Sequence, residues 1–393
     1  SEFGSRYHHG FEAGSKAELL AALAFLKDPE AIIVCNGYKD SEFIDLGLYA
    51  TKLGYRCIFV IEMPSEADLI LERSRLLGVE PWIGVRIKLS SKASGHWTES
   101  GGDRSIFGLS LPEVVELVDK LKKENALGWL RLLHYHVGSQ IPNIRDIRSA
   151  VQEATRVYVG LVSEGAPMGF VDFGGGLAVD YDGSQTNYHS SRNYTVEEYC
   201  ADIVETVMSI VDEHQIDHPT IVTESGRFLV AYYSVLVFNI LDVTRFTPAP
   251  PPEKLPEGTH ELTQNLFETY QKLSIKNLQE SINDAIYYRD QIRDIFKHGD
   301  ISLRERALAE NIFWNIVSIV SEKSRGMKKI PVEIEGIEVA LSDIYYGNFS
   351  VFQSLPDTWA IDQVFPVMPL HRLDTMPTRE AIISDITCDS DGK

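Results

Sequence analysis

Val171-Asp172-Phe173-Gly174-Gly175-Gly176 is an apolar run that stops on three glycines. A buried strand ends there, and the turn after it carries no side chain to hold a ligand away from the backbone. Successive N–H groups can close around an anion such as a phosphate, because glycine reaches the backbone angles that a narrow nest requires. A glycine cluster after a strand is also the ordinary form of a tight turn. The flanking sequence has to decide between the two.

Working outward, the same unit recurs from Arg6 to Phe228: a short β-rich run, a polar turn, then a helical stretch. The runs are Tyr7–Phe11, Ala31–Cys35, Cys57–Ile61, Trp82–Ile87, Trp129–His136, Met168–Phe173 and Thr220–Thr223. Between them, Ser15–Leu26, Ser41–Leu53, Glu66–Leu77, Leu111–Lys123, Ile144–Ser163 and Val196–His214 carry apolar residues at three- and four-residue spacing. This alternation predicts right-handed crossovers and a parallel sheet in an α/β fold. The seven runs are one short of the eight strands of a (β/α)8 TIM-type barrel, and an open doubly wound sheet uses the same alternation. The strand ends favour the barrel. Glu12, Asn36, Glu62, Arg86, His136, the triple glycine and Glu224 stand there in succession, and such barrels build their sites from those ends.

The rest of the chain has a different character. Thr247-Pro248-Ala249-Pro250-Pro251-Pro252 reads as a stiff linker. Glu261 to Val320 reads as helices only, and Val332–Val339, Phe349–Phe352, Ile361–Phe365 and Ala381–Ile386 as short strand-like runs. The expected division is a barrel over 1–246, a helical bundle over 253–329 and the start of a β-domain over 330–393.

With 393 residues, 44% apolar and 24% charged, the chain has the composition of a globular protein of two or three domains. A net charge of −20 argues against nucleic acid or an anionic membrane as partner and suits a cationic or neutral small molecule. Cys35, Cys57, Cys200 and Cys388 have no metal-finger or CxxC spacing, so reduced thiols in a cytoplasmic setting are expected. The polar start carries no apolar signal segment, and Phe228 to Val243 is too short and too interrupted to span a bilayer. Ser1-Glu2-Phe3-Gly4-Ser5 reads as a cloning remnant, and a lone strand before Lys393 is a poor terminus for a β-domain. The expectation is a chain cut at both ends.

Three stretches carry candidate chemistry. In His134-Tyr135-His136-Val137-Gly138-Ser139-Gln140 the two histidines share one side of a strand. They have no evident third metal ligand, and one core histidine with one facing the strand-end cavity is the better reading. In Thr223-Glu224-Ser225-Gly226-Arg227 a local Glu–Arg ion pair competes with a division of labour. In the latter, Arg227 meets a phosphate and Glu224 a protonated ring nitrogen. Cys388-Asp389-Ser390-Asp391 reads by itself as a solvated acidic turn. It would otherwise place a proton donor beside a pocket for a cationic tail.

Together these stretches resemble the biosynthetic arginine decarboxylases, within the alanine-racemase-like (fold type III) pyridoxal-phosphate decarboxylases. Further matches are Cys35-Asn36-Gly37-Tyr38-Lys39-Asp40, Gly174 through Asp180-Tyr181, Phe352 to Asp357 and Gln363-Val364-Phe365-Pro366. The resemblance implies decarboxylation of L-arginine to agmatine and CO₂, with pyridoxal phosphate as cofactor and often Mg²⁺, whose ligands are not evident. His136 would stack on the cofactor ring and Glu224 would face its nitrogen. Ser139, Gly174, Gly175, Gly176, Gly226 and Arg227 would hold the phosphate, and Arg86 would complete the cofactor set. Cys388 would supply a proton across the interface of a homodimer or higher oligomer. Asp389, Asp391, Asp180 and Tyr181 would meet the substrate. The helical insertion sets the chain apart from diaminopimelate and carboxynorspermidine decarboxylases. The family's first barrel strand, with its Schiff-base lysine, is expected upstream of Glu12, and Lys16 and Lys39 are not substitutes. The chain alone is therefore expected to be inactive, with a non-catalytic regulatory homologue as the alternative. Ile106 stands where relatives usually carry lysine.

Overall fold

The computed structural model describes residues 4–90, 105–324, 336–377 and 379–388. Two compact units divide it: Ser1–Val235 with Ile361–Val367, and Leu236–Ala360 with Met368–Lys393.

In the first unit, seven strands form one parallel sheet whose spatial order is their chain order. They are β1 Phe11–Ala13, β2 Ile32–Cys35, β3 Arg56–Ile61, β4 Trp82–Arg86, β5 Leu130–His134, β6 Phe170–Asp172 and β7 Thr220–Val222. Six helices lie between them: α1 Lys16–Phe25, α2 Ser41–Lys52, α3 Pro64–Leu77, α4 Leu111–Lys123, α5 Ile144–Ser163 and α6 Val196–Glu213. A seventh, short helix, α7 Gly226–Val230, follows β7. This is the curled sheet of the expected barrel class, with β1 and β7 as its edges among the described residues.

Side-chain alternation gives each strand two apolar faces. Ile33, Cys35, Cys57, Phe59, Ile61, Ile83 and Val85 pack under the helices, whereas Val34, Ile58, Val60 and Leu132 form a separate cluster on the other face. A strand buried on both faces reads as a continuous apolar run, which is why these strands were legible in sequence. The helices begin where side chains satisfy their free N–H groups. Thr195 Oγ1 accepts from Glu198 N–H (3.1 Å), while the Glu198 carboxylate accepts from Thr195 N–H (2.8 Å).

The first strand differs from expectation. Gly4–Tyr7 is a 3₁₀ turn, and the extended segment is Phe11–Ala13, not Tyr7–Phe11. His8 takes a left-handed backbone (φ 55°), which breaks extension, and pairing with β2 starts only at Phe11↔Ile33.

In the second unit, α8 Glu261–Lys272, α9 Leu278–His298 and α10 Leu303–Ser324 pack around Leu266, Ile282, Ala285, Ile312, Ile316 and Val320. This is the expected helical bundle. The Pro-rich linker before it is in neither helix nor strand, and Ala249 O accepts from Asn311 and Asn315 Nδ2 (2.9 and 2.8 Å). A three-stranded sheet completes the unit: β8 Ile240–Thr244, β9 Asp343–Gly347 and β10 Ala381–Ser384. Because β8 pairs antiparallel with β9, Ile240–Thr244 belongs here, and the first unit's edge lies at Val235 rather than at 246. Three strand-like expectations are corrected. The described end of Val332–Val339 enters α11 Ile337–Ala340, and Phe349–Phe352 gives way to α12 Val351–Ser354. Ile361 ends α13 Pro356–Ile361, a helix opened by a proline suited to its first turn. No helix among the described residues is long and apolar enough to cross a membrane.

Candidate active site

The site gathers at the C-terminal ends of β1 to β7. The glycine turn after β6 is held open by its backbone. Gly174 and Gly176 have φ of +62° and +118°, and a Cβ on them would lie 2.6 Å from Tyr135 O and 2.7 Å from Ile141 Cδ1. Asp172 Oδ1 accepts from Gly174 N–H (2.8 Å), and Gly174 O accepts from Glu224 N–H (2.9 Å). One glycine turn therefore fixes the place of the Glu224 carboxyl.

Beside this cradle stand the residues of two further strand ends. The His136 ring is the near neighbour of Gly175, its Cε1 3.6 Å from where a Cβ would lie. Arg227 Nε donates to Ser139 Oγ (3.1 Å), and its NH1 donates to the Tyr181 hydroxyl (3.4 Å). Arg227 therefore pairs with hydroxyls, and among the described residues it makes no ion pair with Glu224. Arg86 lies over Phe107 and meets Glu62 Oε2 at 3.2 Å, while Ile106 is exposed. Gly226 opens α7 with open space around its Cβ direction. Asp180 accepts from Ser191 Oγ (2.7 Å), and Tyr181 stacks edge-on with Phe365.

Cys388 is exposed in the second unit. Asp389 and Asp391 lie outside the described residues. Lys16 is held by Asp40 and Glu42 (2.8 Å each), and Lys39 by Gly37 O and Glu66 (2.5 and 3.3 Å). Lys39 is thus locked in a buried pair, while Lys16 lies in exposed ion pairs at the start of α1.

In the sequence, Glu12 and Asn36 stand out as strand ends, and His134 as a core residue. The structure joins all three to Glu224. Asn36 Nδ2 donates to Glu224 Oε1 (2.6 Å), and the Asn36 side chain opposes the upward push that burial gives the Glu12 carboxyl. His134 Nδ1 lies 3.3 Å from Asp172 Oδ2 and 3.9 Å from Glu224 Oε1. No single stretch signals this set, because its members come from four different strand ends.

Burial pushes the Glu224 carboxyl up to about 7, against the opposing pull of His134. Burial, aided by the Arg86 charge, pushes His136 down to about 4, so its ring is neutral near pH 7. These shifts act on stability with opposite signs. His136 contributes stability above its ordinary 6.5 and loses it as pH falls through about 4. Glu224 contributes stability below its ordinary 4.5 and loses it as pH rises through about 7. The slopes offset one another between about pH 4.5 and 6.5. His136→Asn should expose the Glu224 slope, a loss of about 3 kcal/mol from pH 4.5 to 7 in urea unfolding of the cofactor-free chain. A flat profile in that variant would count against a buried, desolvated Glu224.

A backbone anion nest, a cation beside it, a neutral imidazole plate and a partly buried carboxyl together suit a flat, phosphorylated heteroaromatic cofactor with a basic ring nitrogen. The unpartnered buried atoms His134 Nδ1 and Asp172 Oδ2 mark the same corner as polar. Fold and site thus define a β/α-barrel protein whose strand ends suit such a cofactor. The chain belongs to the pyridoxal-dependent decarboxylases: residues 4–231 match their pyridoxal binding domain, and residues 256–338 match the arginine decarboxylase helical bundle domain. It is 45% identical over 391 residues to the biosynthetic arginine decarboxylase of Thermosynechococcus vestitus and 44% identical to that of Bacteroides thetaiotaomicron. The matches take in 100% and 99% of this chain but 61% and 62% of those relatives. The crystal structure of the Campylobacter jejuni biosynthetic arginine decarboxylase superposes with a TM-score of 0.80 at 35% identity, covering 100% of this chain and 62% of that one. A diaminopimelate decarboxylase from M. jannaschi shares the fold over 62% of the chain, at 24% identity and a TM-score of 0.51.

Proposed function

We propose that the protein carrying this chain decarboxylates L-arginine to agmatine and CO₂ with pyridoxal phosphate. The observation that carries the reading is the Glu224 carboxyl beside the glycine nest, in a chain that also has the helical bundle of arginine decarboxylases. Bound pyridoxal phosphate supplies an electron sink for the pair left at Cα when CO₂ departs. The residues divide the work of holding it. The Gly174–Gly176 amides, Ser139 and Arg227 take the phosphate, His136 lies on the ring, and Glu224 faces the ring nitrogen. Arg86 and Gly226 complete the surround. Asp180, Tyr181, Asp389 and Asp391 are assigned to the substrate, the acidic side chains suiting its guanidinium tail. Cys388 is assigned as the proton donor to Cα, from the neighbouring subunit of a cytoplasmic homo-oligomer.

The test is release of labelled CO₂ by the full-length protein from carboxyl-labelled arginine, ornithine and diaminopimelate, with pyridoxal phosphate and with or without Mg²⁺. Arginine is expected to exceed the other two by at least about 100-fold in kcat/KM, the discrimination typical of a built polar pocket. Preferred turnover of diaminopimelate would overturn the reading. Absence of turnover alongside tight cofactor binding would favour the non-catalytic homologue.

A further inference from the structure

Beneath the ring-nitrogen carboxyl lies a buried pair that cofactor binding as described does not use. The His134 side chain is 1% exposed and that of Asp172 is fully buried. His134 Nδ1 sits between two carboxylates, 3.3 Å from Asp172 and 3.9 Å from Glu224, without a well-aligned hydrogen bond to either. Asp172 is itself fixed, because its other oxygen accepts from Gly174 N–H. His134 Cε1 in turn lies 3.4 Å from where a Gly174 Cβ would be, so the imidazole is packed directly under the glycine turn.

From this geometry we propose that His134 is a positioning residue: its Nδ1–H, lying between the Asp172 and Glu224 carboxyls, is shared toward both and keeps Glu224 a carboxylate when it meets the cofactor's ring nitrogen. The proposal rests on the pyridoxal-phosphate reading above. Its physical basis is the choice between two arrangements of one proton. A desolvated carboxyl facing a pyridine favours the neutral pair, with the proton on the carboxyl, because charge separation is unfavourable at low dielectric. A cationic or strongly polar donor behind the carboxylate reverses that preference and leaves the proton on the ring, where electron withdrawal needs it. Every other group packed there is accounted for. Glu12 on β1 and Asp172 on β6 are acidic and raise Glu224, while Asn36 after β2 donates one neutral hydrogen bond. Arg86 on β4 is engaged with Glu62. His134 on β5 exerts the largest pull toward the Glu224 anion. Burial alone would push His134 down, but the Asp172 carboxylate and then Glu224 hold it above its ordinary value.

Amide replacements separate the donor from the ring. An asparagine amide reaches the place of Nδ1, whereas a glutamine amide reaches that of Nε2. The full-length protein would be loaded with pyridoxal phosphate labelled with ¹⁵N in the ring, and the ring ¹⁵N shift read by NMR at neutral pH. The native chain and His134→Asn are expected to give the shift of a protonated ring nitrogen. His134→Gln and His134→Leu are expected to move it most of the way to the unprotonated value. In the cofactor-free chain with ¹³C-labelled glutamate carboxyls, His134→Gln is expected to raise the Glu224 midpoint by about one pH unit. An unchanged ring shift and an unchanged Glu224 midpoint in His134→Gln would overturn the proposal. Should His134→Leu fail to fold, as judged by circular dichroism, the Asn–Gln comparison carries the decision, and equal ring shifts in those two variants also overturn it. A full-length protein that does not take up pyridoxal phosphate refutes the cofactor reading instead, and the Glu224 midpoint still decides whether His134 acts on that carboxyl.

Discussion

Glu66→Leu is expected to destabilise the barrel by about 3–5 kcal/mol, the range for removing one partner of a buried ion pair. Glu66 and Lys39 have side chains 2% and 0% exposed, with Glu66 Oε2 3.3 Å from the ammonium. The carboxylate does more than balance that charge. Its two oxygens accept from Lys39 N–H (3.0 Å) and Glu62 N–H (2.8 Å), so leucine leaves a buried ammonium and two buried amides unsatisfied. The ammonium would keep only the carbonyl of Gly37. Lys39→Met should be milder, because Glu66 keeps both backbone donors. Combining Lys39→Met with Glu66→Gln should recover part of the loss. Urea unfolding followed by tryptophan fluorescence reads all three variants. Equal midpoints for Glu66→Leu and Lys39→Met would show that the backbone hydrogen bonds contribute nothing beyond the ion pair. The same segment carries Gly37, whose N–H donates to Glu62 Oε1 (2.8 Å), and Asn36, the donor to Glu224. A weakened pair should therefore also loosen the hold on Glu224.

The second large effect is expected at the glycine turn. Gly174→Ala should weaken pyridoxal phosphate binding by at least about 100-fold and destabilise the chain by about 3 kcal/mol. A left-handed alanine at φ +62° contributes about 1–2 kcal/mol of this. The remainder comes from a Cβ 2.6 Å from Tyr135 O, a backbone atom with little freedom to move. Tyr135 N–H is tied to Asp172 O (3.1 Å) and Glu224 N–H to Gly174 O (2.9 Å), so the displaced turn takes the carboxyl with it. Gly183→Ala is the control. Its φ is +74° with nothing within 4 Å of a Cβ, so it carries the backbone term alone. Equilibrium dialysis of the cofactor and urea unfolding give the two readouts. Equal affinity in the two variants would sink the assignment of the Gly174 turn as the phosphate cradle.

Legibility in the sequence followed the range of the interactions. The strands under the helices were readable because burial on both faces makes their runs continuously apolar, as in Ile58, Phe59, Val60 and Ile61. The glycine turn was readable because three adjacent residues suffice to define it. The strand-like readings of Phe349–Phe352 and Val332–Val339 gave way at Val351–Ser354 and Ile337–Ala340 to helix, since a stretch this short has too few apolar positions for a period to separate a turn of helix from a strand. Asn36 and Glu224 are 188 residues apart, and neither residue type by itself announces the other.

The sequence by itself determined the alternation of strands and helices, the strand-end positions of Asn36, His136 and Glu224, and the open glycine turn at Gly174–Gly176. Those properties rest on local spacing and on backbone freedom, which neighbouring residues set. Only the tertiary structure decided which groups Glu224 and Arg227 touch. In sequence, an ion pair with each other competed with separate partners. The turn between them, through a left-handed Ser225, leaves Arg227 on Ser139 and Tyr181 and Glu224 between Asn36 and His134. The reason is physical: a carboxyl at the end of a parallel strand is surrounded by the ends of the neighbouring strands. Which groups stand there depends on sheet order and register, contacts that no local pattern records.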